Sequence, residues 1–94
     1  MTELIEIGER RTLEPVEYAR DEPVRIVGYI ERHPRPDNGE PCQGFIWVDA
    51  TSLSHVGGPV WTVERQDPLS LSPSVKCRTC GNHGYVRDGH WVPA

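Results

Sequence analysis

The sequence predicts a small all-β fold, mostly antiparallel and zinc-ribbon-like with a C-terminal β-hairpin, and three observations predict it. Nine Gly and nine Pro are scattered through 94 residues without a period, so the chain is cut into short elements joined by turns. Its apolar stretches are short and rich in β-branched and aromatic residues, as at residues 24–30. Near the end, Asp88 and Gly89 separate two such stretches and supply the positive dihedrals that a two-residue hairpin turn requires.

Taken in order, Leu4, Ile5 and Ile7 sit among Glu3, Glu6 and Glu9, a pattern that fits an edge strand or a frayed start. Residues 1–23 are therefore expected to be loosely ordered. Residues 12–20 are charged and contain Pro15, which restricts Glu14 and lacks a donor, so a loop with a minor helical turn near residues 15–20 is expected. Residues 24–32 form the best strand of the front half, with Val24, Ile26 and Ile30 sharing parity. The breaker cluster Pro34, Pro36, Asp37, Asn38, Gly39 and Pro41 then predicts an exposed connection that delivers Cys42 to the next strand. Residues 44–50 and 60–65 are expected to pair antiparallel, with Trp47 and Trp61 as core anchors. Leu69, Leu71 and Val75 alternate with serines, but Pro68 and Pro73 restrict that segment to a sheet edge. Residues 84–87 and 90–92 complete the terminal hairpin.

Composition bounds the rest. A chain of this length supports one domain, residues 1–94, and with 36% apolar residues its core is thin, so a covalent or metal staple is expected. Three cysteines cannot complete a disulfide framework, and no secretory signal opens the chain, which predicts a reducing, cytoplasmic setting. The longest apolar run, Phe45, Ile46, Trp47 and Val48, falls far short of the roughly 20 residues that span a bilayer, so no membrane association is expected. The net charge of −4 lies in the front half, and an acidic chain disfavours general nucleic-acid binding.

The chemistry-bearing motif is a CxxC, Cys77 and Cys80, with His83 three positions beyond it. Zinc takes four soft or borderline ligands in a tetrahedron, so these three need a fourth, and Cys42 is the natural candidate. A closed set of Cys42, Cys77, Cys80 and His83 leaves no position for water or substrate, which makes the ion structural. Plain buried cysteines or a redox CxxC are the competing readings, although a thioredoxin-like motif belongs in a βαβ context that this sequence lacks. His33, His55 and His90 read as surface histidines. Catalytic motifs are missing: there is no HxE for a deaminase, no HExxH and no GxSxG. Ser70, Ser72, Ser74 and Asp49 are too ordinary a set to single out a nucleophile. Lys76, Arg78 and Arg87, beside Tyr85 and Trp91, form the sole patch suited to nucleic acid, and three charges make a weak footprint.

The C-terminal run of Leu71, Ser72, Pro73, Ser74 and Val75, then Cys77, Cys80, His83, Gly84, Tyr85, Val86, Gly89 and Trp91, resembles an uncharacterised family of small bacterial and phage zinc-binding proteins. Their recurring pattern is LSPS(I/V), a cysteine, HG(F/Y)(I/V), then G and W, and the resemblance covers about the last 35 residues. It implies a zinc-binding β-domain without an assigned activity, some of whose relatives are encoded near ubiquitin-like conjugation genes. It also implies Cys77, Cys80 and His83 as ligands, with the LSPSV segment packed against the site. Longer relatives carry a cysteine-rich pair in the front half, whereas this chain has Cys42 alone there.

These readings converge on a structural-zinc-stabilised binding or adaptor module, more a protein-binding factor than an enzyme, encoded by a phage or accessory to a host. Two alternatives stand beside it: a nucleic-acid-binding zinc module using Lys76, Arg78 and Arg87, and a zinc-dependent hydrolase with an open coordination site.

Overall fold

The computed structural model describes residues 4–18, 25–49 and 59–94, and these residues hold nine strands and no helix. The all-β expectation holds. The largest sheet contains β1 (Ile5–Gly8), β2 (Arg11–Tyr18), β3 (Arg25–Pro34) and β4 (Pro41–Trp47) in that order, each antiparallel to the next.

Residues 5–18, part of the stretch expected to be loosely ordered, thus form two of its strands. Ile7 and Leu13 lie in the core at 1% and 0% exposure. The expected loop and helical turn give way to strand over residues 12–18, while residues 19 and 20 lie outside the described residues. Pro15 is compatible with this because β1 pairs with β2 only as far as Leu13. Past that point β2 has one neighbour among the described residues, an edge position where a missing N–H is tolerated.

The strand expected to end at residue 32 runs on to Pro34, and the breaker cluster closes a β3–β4 hairpin. Arg35 N–H donates to the Glu40 carbonyl at 2.8 Å and Gly39 N–H to the Arg35 carbonyl at 2.9 Å, with Gly39 at φ +73°. The register places His33 opposite Cys42 and Glu31 opposite Gly44.

A two-stranded sheet joins β5 (Thr62–Gln66) to β6 (Leu69–Ser72), and a three-stranded sheet runs β7 (Val75–Lys76), β8 (His83–Arg87), β9 (His90–Pro93). The expected pairing of residues 44–50 with 60–65 does not form among the described residues. Each strand instead pairs through a short local turn, β4 with β3 and β5 with β6, because short connections favour sequential neighbours. One bond, Trp61 N–H to the Trp47 carbonyl at 2.7 Å, links the two regions. The terminal hairpin forms as expected, with Asp88 at φ 49° and Gly89 at φ 77°.

The core gathers Ile7, Leu13, Tyr29, Ile46, Leu69, Leu71, Val75 and Val86, with Trp61 and Trp91 packed against it. Gly84 lies against the Trp91 indole so closely that a Cβ there would fall 2.5 Å from Trp91 Cζ2. Gly89 N–H donates to the Leu69 carbonyl at 2.8 Å, which ties the hairpin turn to β6.

Candidate functional site: a Cys/His cluster and a Ser74–His83 pair

Two constellations carry chemistry. The first collects His33, Cys42, Cys77 and Cys80, whose ligand atoms all lie within 4.8 Å of one another. Cys42 and Cys77 sulfurs are 3.5 Å apart, and His33 Nε2 is 3.2 Å from the Cys80 sulfur. Half of the set comes from directly paired positions on β3 and β4, which share a face in an antiparallel ladder. The other half sits on the turn between β7 and β8. That turn is held by Gly81 N–H to the Cys77 carbonyl and Cys77 N–H to the Asn82 carbonyl, both 2.8 Å, with Gly81 at φ +78°.

The donors suit a metal. Three thiols and an imidazole make a soft or borderline set of four, the number a tetrahedral ion takes. His33 also has the second partner that a ligating histidine uses: its Nδ1 meets Glu31 Oε2 at 2.5 Å, leaving Nε2 for the cluster. The other Glu31 oxygen accepts from Arg11, whose second amine reaches Asn82 Oδ1 at 2.6 Å and whose guanidinium lies 4.0 Å above the Trp91 ring. One arginine thereby joins the two hairpins that supply the donors.

Without an ion, burial pushes the Cys42 thiol up to about 11, helped by the neighbouring Cys77 and Cys80. Burial acts in the same direction on Cys77, but hydrogen bonds from the Cys80 and Thr79 backbone and from Cys42 outweigh it and leave Cys77 below the usual thiol range. At the rim, hydrogen bonding between Arg35 and Asp37 raises the guanidinium and lowers the carboxylate.

The cluster brings together three members of the sequence-derived ligand set. Cys42, Cys77 and Cys80 come together, but the histidine beside them is His33, not His83. His33 is 3% exposed, contrary to its reading as a surface residue, because the strand that carries it extends two positions further than the prolines suggest. The cue available in the sequence was the hairpin itself: a tight closure from residue 34 to residue 41 forces 33 and 42 into register. His90 is exposed on β9, and His55 lies outside the described residues.

His83 belongs to the second constellation. Its Nε2 lies 2.7 Å from Ser74 Oγ. Val75 is buried and Lys76 exposed, and on β8 Gly84 and Val86 are buried while His83 and Arg87 are exposed. Alternation therefore puts Ser74, Lys76, His83, Tyr85 and Arg87 on one outward face. Lys76 pairs directly with His83, so Ser74, two residues earlier, meets it diagonally. The carbonyl of Ser74 is fixed by the Trp61 indole N–H at 3.1 Å. Leu71 and Val75 of the same segment are core residues. The Arg87 guanidinium stacks 4.5 Å above Tyr85.

Beside this face a groove of about 250 Å³ runs between β4 and the β7 knuckle, walled by Phe45, Trp47, Trp61 and Trp91. Among the described residues no helix is long and apolar enough to cross a membrane.

A family model described as "Bacterial ubiquitination-like system serine protease (BubE)" matches residues 41–94, more than half of the chain. The chain belongs to the BubE family. The matched span includes Ser74, His83 and all three cysteines, while His33 precedes it. No curated protein and no solved structure matches the chain. Membership of BubE, a family described as a serine protease of a bacterial ubiquitination-like system, overturns the expected non-enzymatic binding or adaptor module and agrees with the hydrolase alternative only in its reaction class, not in its use of zinc. Ser74 directly precedes β7, outside any GxSxG pattern, and its contact with His83 crosses the β7–β8 pair.

Proposed function

We propose that this chain is a serine protease acting in a bacterial ubiquitination-like system, with Ser74 as nucleophile and His83 as general base. The observation that carries the reading is the 2.7 Å contact between Ser74 Oγ and His83 Nε2 on an open sheet face, in a chain of the BubE family. A serine hydroxyl is a weak nucleophile until an adjacent base takes its proton. In this scheme Ser74 Oγ attacks a peptide or isopeptide carbonyl as its proton passes to His83 Nε2. The protonated imidazole then gives that proton to the leaving amine, and water releases the acyl group from Ser74. The expected partner is accordingly a protein substrate.

The Cys/His cluster supports a structural role for zinc in the same domain, which we take as residues 1–94. His33, Cys42, Cys77 and Cys80 would hold the ion, and four protein donors leave no position for substrate. When bound, zinc supplies cross-linking of the β3–β4 hairpin to the knuckle that precedes His83. Three free thiols fit a reducing, cytoplasmic setting.

The test is covalent labelling. A fluorophosphonate probe should modify the full chain at one residue, identified by peptide mass spectrometry as Ser74, and the Ser74→Ala chain should remain unmodified. Labelling of the wild-type chain elsewhere, or none, would end the proposal.

A further inference from the structure

The groove beside the serine has a lining that names its occupant. On β4 the residues directed toward the core are Cys42, Gly44 and Ile46: Cys42 and Ile46 are buried, whereas Gly44 is exposed. A Cβ built on Gly44 would meet no atom within 4 Å. Position 44 therefore faces open space in the groove, and Glu31, its register partner on β3, lines it. On the opposite wall stand Val75 and Lys76, the two residues that follow Ser74. Trp61 lines the groove and also donates to the Ser74 carbonyl, so one wall of the groove is tied to the Ser74 backbone.

Both walls are edge strands among the described residues: β4 is the last strand of the four-stranded sheet and β7 the first of the three-stranded sheet. An edge strand offers backbone donors and acceptors to an added strand, and alternate side chains of that strand then enter pockets. Val75, Trp61 and Trp91, which line the groove and belong to or pack against the core, favour an apolar side chain at that point.

We infer that the groove between β4 and β7 is the substrate-binding slot, which takes an extended peptide segment as an added strand with one apolar side chain seated over Gly44. Calling the occupant a substrate rests on the protease reading, but the binding itself needs no catalysis.

Gly44 supplies the test, because a Cβ there meets no atom within 4 Å and Gly44→Val should narrow the slot. All three tryptophans of the chain line the groove, so intrinsic emission reports occupancy. The Ser74→Ala chain is titrated with a library of extended octapeptides varied in the identity and position of one apolar residue. The expected result is a saturable emission change with some members and binding weakened at least about tenfold by adding Gly44→Val. Circular dichroism of both chains should coincide. Binding unaltered by Gly44→Val, or no emission change with any member, would overturn the slot. Peptide binding as expected together with no fluorophosphonate labelling of the wild-type chain would leave the slot standing and remove the catalytic reading alone.

Discussion

Ser74 and His83 are nine positions apart in the chain, yet they meet diagonally across the β7–β8 pair with Oγ 2.7 Å from Nε2. Their geometry depends on a two-residue strand, and that strand is held on one side by β8 and on the other by the indole of Trp61.

Replacing His83 should separate chemistry from folding. His83→Gln is expected to lower peptide hydrolysis about a thousandfold or more while the thermal midpoint stays within a few degrees, because His83 is exposed and contributes no core packing. A fall in activity below about tenfold would argue against His83 as the proton acceptor.

The two histidines should divide cleanly in metal content. His33→Ala is expected to lose stoichiometric zinc and His83→Ala to retain it, measured by elemental analysis of the purified chains. Zinc retained by His33→Ala would return the fourth donor to another residue.

Glu31 gives a finer test of the same site. Its carboxylate holds His33 Nδ1 and the Arg11 guanidinium, so Glu31→Gln should weaken zinc affinity by about 10–100-fold without removing a ligand. Competition with a chromogenic chelator measures this directly.

Stripping the ion should destabilise the whole chain. Apparent binding free energies of structural zinc reach about 10–16 kcal/mol, against about 5–15 kcal/mol for the net stability of a folded domain. A strong chelator is expected to lower the thermal midpoint sharply and zinc to restore it. An unchanged midpoint would deny the ion its stabilising role.

Gly84 links β8 to the core. Gly84→Ala would push a methyl into the Trp91 indole, which stacks against Arg11, and should cost about 1–3 kcal/mol in denaturant unfolding. The same substitution at Gly44, where space is open, should leave stability nearly unchanged.

By itself the sequence determined the elements whose signals are local. Asp88 and Gly89 specified the terminal hairpin through positive dihedrals, the CxxC with Gly81 specified a knuckle, and the alternation at residues 24–32 specified the central strand. It did not reveal that residues 12–18 are a strand, since Pro15 argues against a central one and only the β1–β2 pairing, which among the described residues ends at Leu13, shows how it is accommodated. Only the tertiary structure decided which histidine does what. Spacing along the chain put His83 with the cysteines, but the period-two alternation of β8 turns it outward to Ser74. The register of β3 against β4 carries His33 inward to replace it. Sequence fixes the direction of a side chain only relative to its own strand; which neighbour it then meets depends on pairing between segments far apart in the chain.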